Sequence, residues 1–460
     1  MAITLLVSAA FIVTVAIVFA AASTRHLTLR KRRIRASAQE AIRTLLNMSA
    51  KLACSARHIS GFSDKQIQQD LRSYSLLFSL VRISHEKNTT TAKLWRRFRA
   101  TAEFHPEYGA RLQDRPPSGT THNTTLFKDP NPTQTRTPNS GKKACCHRNQ
   151  KLQALLQTQL HEDNRQGLET RALLVIHRGL LLAEAYGPAI TPSTRLLGWS
   201  MTKSLLAMLW GRMEALDLSE RSERNLFSEW EDDERSGITL EHLLQMRDGL
   251  AFDESYRAGS DATRMLFNSN RHSRYALQRP LTHPPGTHFS YSSGSTNLLA
   301  RWMHQRLGGT EATAHFLRNE FLEPLGMRDT LLERDADGVY IGSSYGYATA
   351  RDWGRLGALL LNEGHTGNHP LLDPRWIQRA TAPNGSINDP RYGYQFWLNH
   401  GDGLPALFSQ LPADSYFMLG NREQKLMIAP SCEATILRLG WSATPYPVES
   451  RFGEILAQLR

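Results

Sequence analysis

The 460 residues are 40% hydrophobic, enough to bury a large core. The formal charge of +12 sits at one end: residues 24–150 hold 24 Lys and Arg against 8 Asp and Glu, whereas residues 151–460 hold 31 against 35. A basic front on a mildly acidic body argues against a nucleic-acid-binding body and suits a segment lying near an anionic membrane surface.

Residues 1–23, MAITLLVSAAFIVTVAIVFAAAS, carry no charged side chain and are long enough to cross a bilayer as a helix. VFAAAS offers small residues for signal cleavage, but the charged n-region of a signal peptide is missing, so an uncleaved membrane anchor is expected. Residues 24–113 form a basic lead-in region, with a helical stretch (AQEAIRTLLNMSAKLA) and an extended-looking one (SLLFSLVRISHEKNTTTAKLW). Residues 114–150, rich in Pro, Thr, Asn and Gly, read as a flexible linker. Cys54, Cys145, Cys146 and Cys432 have no regular spacing and imply no disulfide framework. The CCH run at 145–147 lacks a second cluster to complete a tetrahedral zinc site, so neither a metal nor a cofactor is expected.

From residue 151 the texture changes to that of a folded domain. KLQALLQTQLHE predicts an opening helix, and the apolar runs ALLVIH and LLLAEAY, joined by Arg178-Gly179, predict a β-hairpin. GWSMTKSLLAMLWGRMEALDL then places Met201, Leu205, Leu206, Leu209, Met213 and Leu216 at the spacing of a helix with one buried face. Strand signals return in YGYQFWLNH, SYFMLGN, KLMIAPS and EATILRLG, and SRFGEILAQLR closes the chain as a helix. Strands at both ends with helices between them predict one mixed α/β domain whose sheet is assembled from both termini.

The pattern S-x-x-K occurs at Ser84, Ser140 and Ser200. Ser140 falls in the linker and Ser84 in a charged turn, where nothing excludes water or fixes the lysine. Ser200 opens the apolar helix, so Lys203 shares its helical face and can take its proton, while the helix dipole and the Ser200 N–H favour an oxyanion. The plain alternative is that Ser200 caps the helix and Lys203 is a solvated charge. G-W-S-M-T is not the G-x-S-x-G elbow, and H-E-x-x-H, P-loop and dinucleotide-binding fingerprints are absent.

Read with Ser200, the segments ITLEHLLQMRDGL, PPGTHFSYSSGSTNLLA, EPLGMRDT and GSSYGYATARDWGRLGALLLNEG resemble, in order, successive blocks of the class C β-lactamase-like serine hydrolase family. That family spans β-lactamases, penicillin-binding-protein-like carboxypeptidases, esterases and nylon-oligomer hydrolases. The resemblance implies an α/β, β-lactamase/transpeptidase-like fold: an antiparallel sheet formed from both ends of the domain, with a mainly helical subdomain, over residues 151–460. It implies an acyl-enzyme formed by Ser200, with Lys203 and Tyr291 moving the proton, the phenol being lowered by Lys203. Tyr291-Ser292-Ser293 stands where the family has Y-x-N, so Ser293 replaces an amide. Asn421 stands for the Lys or His of the third motif, Glu423 for its glycine, and the Gln424 N–H is the expected second oxyanion donor. Tyr256 and Asp261 lie in a loop that lines the cleft in relatives, whereas His283 and His288 read as structural. The implied substrate is a small molecule or a peptide-like one, with no nucleic acid. A catalytically silent relative that binds cell-wall peptide or a protein partner is the alternative. The family's chemistry places the domain in the periplasm, while RHLTLRKRRIR after the anchor favours the cytoplasmic side.

Overall fold

The computed structural model describes residues 28–113, 149–401 and 403–459. The expected anchor, most of the expected linker and the CCH run lie outside them. Among the described residues no helix is long and apolar enough to cross a membrane.

The lead-in region is a module of its own. Helix α1 (Thr28–His58) is followed by α2 (Asp64–Arg72), started by Ser63 accepting from the Gln66 N–H. An antiparallel meander then runs through β1 (Arg82–Glu86), β2 (Thr89–Leu94), β3 (Phe98–His105) and β4 (Gly109–Leu112). Ser84, one of the rejected S-x-x-K serines, sits in β1 opposite Thr91. Ala92, Leu94, Ala102 and Ala110 turn inward beneath α1 and join the same apolar cluster as the core around Ser200. The module therefore shares one apolar core with the domain that follows it.

After α3 (Gln150–Arg165), β5 (Thr170–His177) and β6 (Leu180–Tyr186) form the expected hairpin. Arg178 and Gly179 both take positive φ, the backbone of a two-residue turn matched to strand twist. The chain crosses through β7 (Leu196–Leu197) into α4 (Met201–Ala215). A helical subdomain follows: α5 (Leu240–Leu244), α6 (Asp261–Asn268), α7 (His272–Leu277), α8 (Ser293–Leu307) and α9 (Thr310–Phe316). Strand β9 (Gly346–Ala348) pairs with β7 on one side and with β8 (Leu331–Leu332) on the other, and α10 (Ala350–Leu361), a small ribbon of β10 (His365–Thr366) and β11 (His369–Pro370), and α11 (Pro374–Ala380) lead back to the main sheet. Strands β12 (Trp397–Leu398), β13 (Tyr416–Gly420), β14 (Gln424–Ala429) and β15 (Ala434–Gly440), then α12 (Val448–Ala457), complete the chain.

The main sheet has the order β12-β13-β14-β15-β5-β6, antiparallel throughout, so strands from both ends of the domain meet where β15 pairs with β5. The period of two decides both faces of β5. Ala172, Leu174 and Ile176 enter the core that holds Ser200, whereas Leu173 and Val175 pack under α3 and α12 with Leu152, Leu156, Phe452 and Ile455. Helix α4 departs from the expected single buried face: Lys203, Ser204 and Gly211 are buried along with its apolar residues. It runs through the middle of the domain, and that position is what takes Lys203 out of water.

The module is tied to the domain by a buried ion pair between Lys51 and Glu333, which are 3% and 0% exposed. Glu333 also accepts from the Ser55 hydroxyl at 2.8 Å and from the Ala110 N–H at 2.7 Å. Burial pushes the Lys51 ammonium down and Glu333 opposes that shift. Removing one partner strands the other charge in the core. Lys51→Met is expected to cost about 3–5 kcal/mol in denaturant unfolding; a loss under about 1 kcal/mol would mean that the pair is solvated in solution.

Candidate active site

Ser200 stands at the N-cap of α4, with its side chain not used for capping. The turn that delivers it is tightly held. The Gly198 N–H donates to the Gly346 carbonyl at 2.9 Å, and a Cβ at Gly198 would overlap the Trp353 ring. Trp199 takes a left-handed φ of 49°, a conformation that costs a non-glycine residue roughly 1–2 kcal/mol. Its ring packs against Tyr256, Tyr345 and Trp441, with centroids 6.0–6.3 Å away, and this packing holds the backbone there. The N–H groups of Met201, Thr202 and Lys203 bond to the carbonyls of Gly198, Trp199 and Ser200. The Ser200 N–H is left at the helix end, where an oxyanion would be stabilised.

Lys203 Nζ donates to Ser200 Oγ at 3.0 Å, to Ser293 Oγ at 3.0 Å and to the Ser343 carbonyl at 2.9 Å. Three acceptors fix the amine, and burial lowers its pKa to about 8 against the pull of Glu254. Relative to a solvated lysine, that raises the neutral fraction at pH 7 by roughly 300-fold. Tyr291 behaves oppositely. Burial first, then Glu254, push its phenol above the ordinary range, while hydrogen bonds with Ser200 and Trp397 oppose the rise. Lys203 Nζ lies over the Tyr291 ring, 5.1 Å from its centroid, so the expected lowering of this phenol by the lysine is not what the geometry produces. Tyr291 is a neutral phenol stacked on Trp397 and beside Ser200.

Ser293 joins Lys203 to a residue that sequence reasoning missed. Its hydroxyl donates to Glu254 Oε1 at 2.6 Å, and its N–H donates to Oε2 at 2.7 Å. Burial raises the Glu254 carboxyl and Lys203 counters that rise. The available signal was the amide-to-serine change at position 293: a single hydroxyl satisfies one neighbour by accepting and needs a second acceptor for its own proton.

The other candidates are spread around this centre. Tyr256, 37% exposed, stands edge-on to Trp199 and is hydrogen-bonded to Asn421. Asp261 opens α6 and is engaged elsewhere, accepting from the Tyr275 hydroxyl, Arg279 and the Asp253 N–H. Gln424, whose backbone N–H is the expected second oxyanion donor, opens β14 opposite Gly420, and its buried side chain bonds both ways with the Gly440 backbone, at 2.6 and 3.0 Å, bracing β14 on β15. Gly420 reaches the turn that carries Ser200, where a Cβ would overlap the Gly198 carbonyl oxygen. Glu423 pairs with Lys425 at 3.0 Å and accepts from the Tyr446 N–H at 3.1 Å. His283 and His288 stack on each other, with centroids 4.3 Å apart.

The Beta-lactamase family model matches residues 150–433. The chain belongs to that family. No curated protein matches it. Solved structures share the fold at low identity. A protein from Bacillus anthracis assigned as a 6-aminohexanoate-dimer hydrolase has a TM-score of 0.55 and 21% identity, over 65% of this chain and 80% of that one. A family VIII carboxylesterase has a TM-score of 0.53 and 12% identity, over 67% and 98%. A penicillin-binding protein homologue from Caulobacter crescentus has a TM-score of 0.52 and 17% identity, over 67% and 98%. In this beta-lactamase-fold chain the lysine charge is tuned by one carboxylate. In a titration by lysine-selective ¹³C-methyl NMR, Lys203 is expected to change charge near pH 8. Glu254→Gln should move that transition to lower pH, because the anion that favours the ammonium is gone; an upward movement would rule out the pairing.

Proposed function

We propose that this chain is a serine hydrolase that works through an acyl-enzyme, with Ser200 as nucleophile. The observation that carries the reading is the buried amine of Lys203 held 3.0 Å from Ser200 Oγ with a lowered pKa. Neutral Lys203 takes the Ser200 proton as Oγ attacks a carbonyl carbon, and the Ser200 N–H receives the developing oxyanion. Tyr291, a protonated phenol beside Ser200, gives its proton to the leaving group and takes in exchange the proton that Lys203 received from Ser200, which leaves the acyl-enzyme with a neutral amine and a neutral phenol. Water then attacks the acyl carbonyl by the reverse relay. Ser293 and Glu254 keep the amine in place and absorb its charge when it is protonated.

An ester or amide fits better than a β-lactam. Recognition of a substrate carboxylate needs an available cation, and Asn421 is neutral while the neighbouring Arg422 is engaged by Ser73 and Tyr74. A charge-assisted hydrogen bond is worth about 1.5–3 kcal/mol, so kcat/KM for p-nitrophenyl esters should exceed that for a chromogenic cephalosporin by at least about tenfold. The reverse order would refute the substrate assignment.

Ser200→Ala is expected to abolish turnover and fluorophosphonate labelling while the melting temperature stays within a few degrees, since the serine makes no capping bond. Near-normal hydrolysis by that variant would end the nucleophile assignment. For the wild type, kcat/KM should rise with pH and level off above about 8, the pH at which Lys203 loses its proton.

We also propose that the hydrolase is membrane-anchored through residues 1–23 and faces the periplasm. Supporting this, the lead-in module exposes Leu76, Leu80 and Trp95 at 80%, 58% and 60%, at the end of the sheet where Arg82 pairs with Lys93. Arg96 and Arg97 are exposed beside them. Apolar side chains ringed by cations suit an anionic lipid surface. An alkaline phosphatase fusion after residue 150 should be active; an inactive fusion of equal abundance places the domain in the cytoplasm.

A further inference from the structure

The family match begins at residue 150, yet the module that precedes it reaches the catalytic centre from two sides. On one side Lys51 Nζ lies 4.3 Å from the centroid of the Tyr345 ring, and Tyr345 packs on Trp199, the strained neighbour of Ser200. On the other, Tyr74 stands edge-on to Trp441 at 5.9 Å, Trp441 packs on Trp199 at 6.0 Å, and the Trp441 indole donates to the Asp70 carbonyl at 3.0 Å. The same loop after α2 holds Arg422. Its guanidinium lies 3.5 Å from the centroid of the Tyr74 ring and donates to the Ser73 carbonyl at 3.2 Å.

Arg422 is a demanding residue at its position. It takes a left-handed φ of 61°, and Glu423 after it takes 65°, in the three-residue turn that joins β13 to β14. Two consecutive non-glycine residues in this region cost roughly 1–2 kcal/mol each, so the turn needs external restraint. Part of it comes from within the domain, where Gln424, Arg438 and Ser442 all donate to the Arg422 carbonyl. The side chain is restrained from the module. The preceding residues matter for chemistry: Gly420 abuts the Gly198 carbonyl, and Asn421 bonds to Tyr256.

We propose that the N-terminal module is a working part of the active site: through Ser73 and Tyr74 it fixes Arg422, and through Arg422 it seats Gly420 and Asn421 against the nucleophile's turn. Arg422 and Tyr74 are thus positioning residues, one in the third motif and one outside the region shared with the family. A cation on an aromatic face with a carbonyl acceptor behind it requires a planar guanidinium, and a lysine cannot reproduce both contacts.

The inference rests on the hydrolase reading and is tested on the full chain with p-nitrophenyl esters, active sites being counted by fluorophosphonate titration so that unfolded molecules do not contribute. Arg422→Ala and Tyr74→Ala are each expected to lower kcat by about tenfold or more while KM changes less than about threefold, because orientation rather than substrate binding is lost. The double variant should be no worse than the poorer single one, as for two halves of one contact. Tyr74→Phe, which keeps the ring, should restore kcat to within about threefold, and Arg422→Lys should not. The proposal is overturned if the two alanine variants keep wild-type kcat, if their losses multiply, or if Arg422→Lys is fully active. Wild-type protein that takes no label at Ser200 would sink the hydrolase reading and this inference with it, whereas active wild type with unaffected variants would sink the inference alone.

Discussion

The site depends on one amine taken out of water. An ammonium moved into a protein interior without partners costs many kcal/mol, and proteins respond by neutralising it or by surrounding it with acceptors. Lys203 receives both treatments. Ser200, Ser293 and the Ser343 carbonyl accept from it, and its pKa falls to about 8. Helix α4 had to be buried on all sides for this to happen, and its neighbours do that, with Trp376 packed on Gly211 and Gly342 on Leu206. The burial that leaves α4 with no solvent-facing side in its first three turns is therefore the same burial that lowers the pKa of Lys203 beside Ser200.

Glu254 sets the limit on that tuning. A carboxylate too close would hold the lysine protonated; one too far would leave the protonated intermediate unsupported. Here it acts through Ser293, which accepts from the amine and donates to the acid. The serine converts a direct ion pair into a relay of two hydrogen bonds. An amide at position 293 would hold its NH₂ and carbonyl apart on one rigid group, whereas a hydroxyl can rotate to follow the proton. This gives a physical use to the departure from Y-x-N.

What could be read from the chain were features with short-range causes. The β5–β6 hairpin was visible because Arg178-Gly179 sits between two apolar runs, and the helix after Ser200 because its apolar residues recur at helical spacing. That the sheet draws on both ends of the domain followed from the strand signals there. What could not be read has partners far away in sequence. Arg422 bonds to Ser73 across 349 positions and Lys51 pairs with Glu333 across 282, and no local pattern marks either member. Glu254 lay in a loop whose neighbours Tyr256 and Asp261 looked equally polar; only the fold shows that one faces Ser293 while Asp261 is spent on Arg279.

The third motif shows how a pocket keeps its shape after losing the residues that usually define it. A glycine at position 423 would accept positive φ at no cost, and a lysine or histidine at 421 would bring its own charge. With Glu423 and Asn421 in those places, the turn is conformationally costly and electrically neutral toward the cleft. The costs are met from outside the motif: Lys425 and the Tyr446 N–H hold Glu423 away from Ser200, and the module's Tyr74 and Ser73 hold Arg422. The turn can then deliver Gly420 to the nucleophile without a glycine behind it. That arrangement makes the β13–β14 turn depend on the N-terminal module, because among the described residues Ser73 and Tyr74 hold the Arg422 side chain.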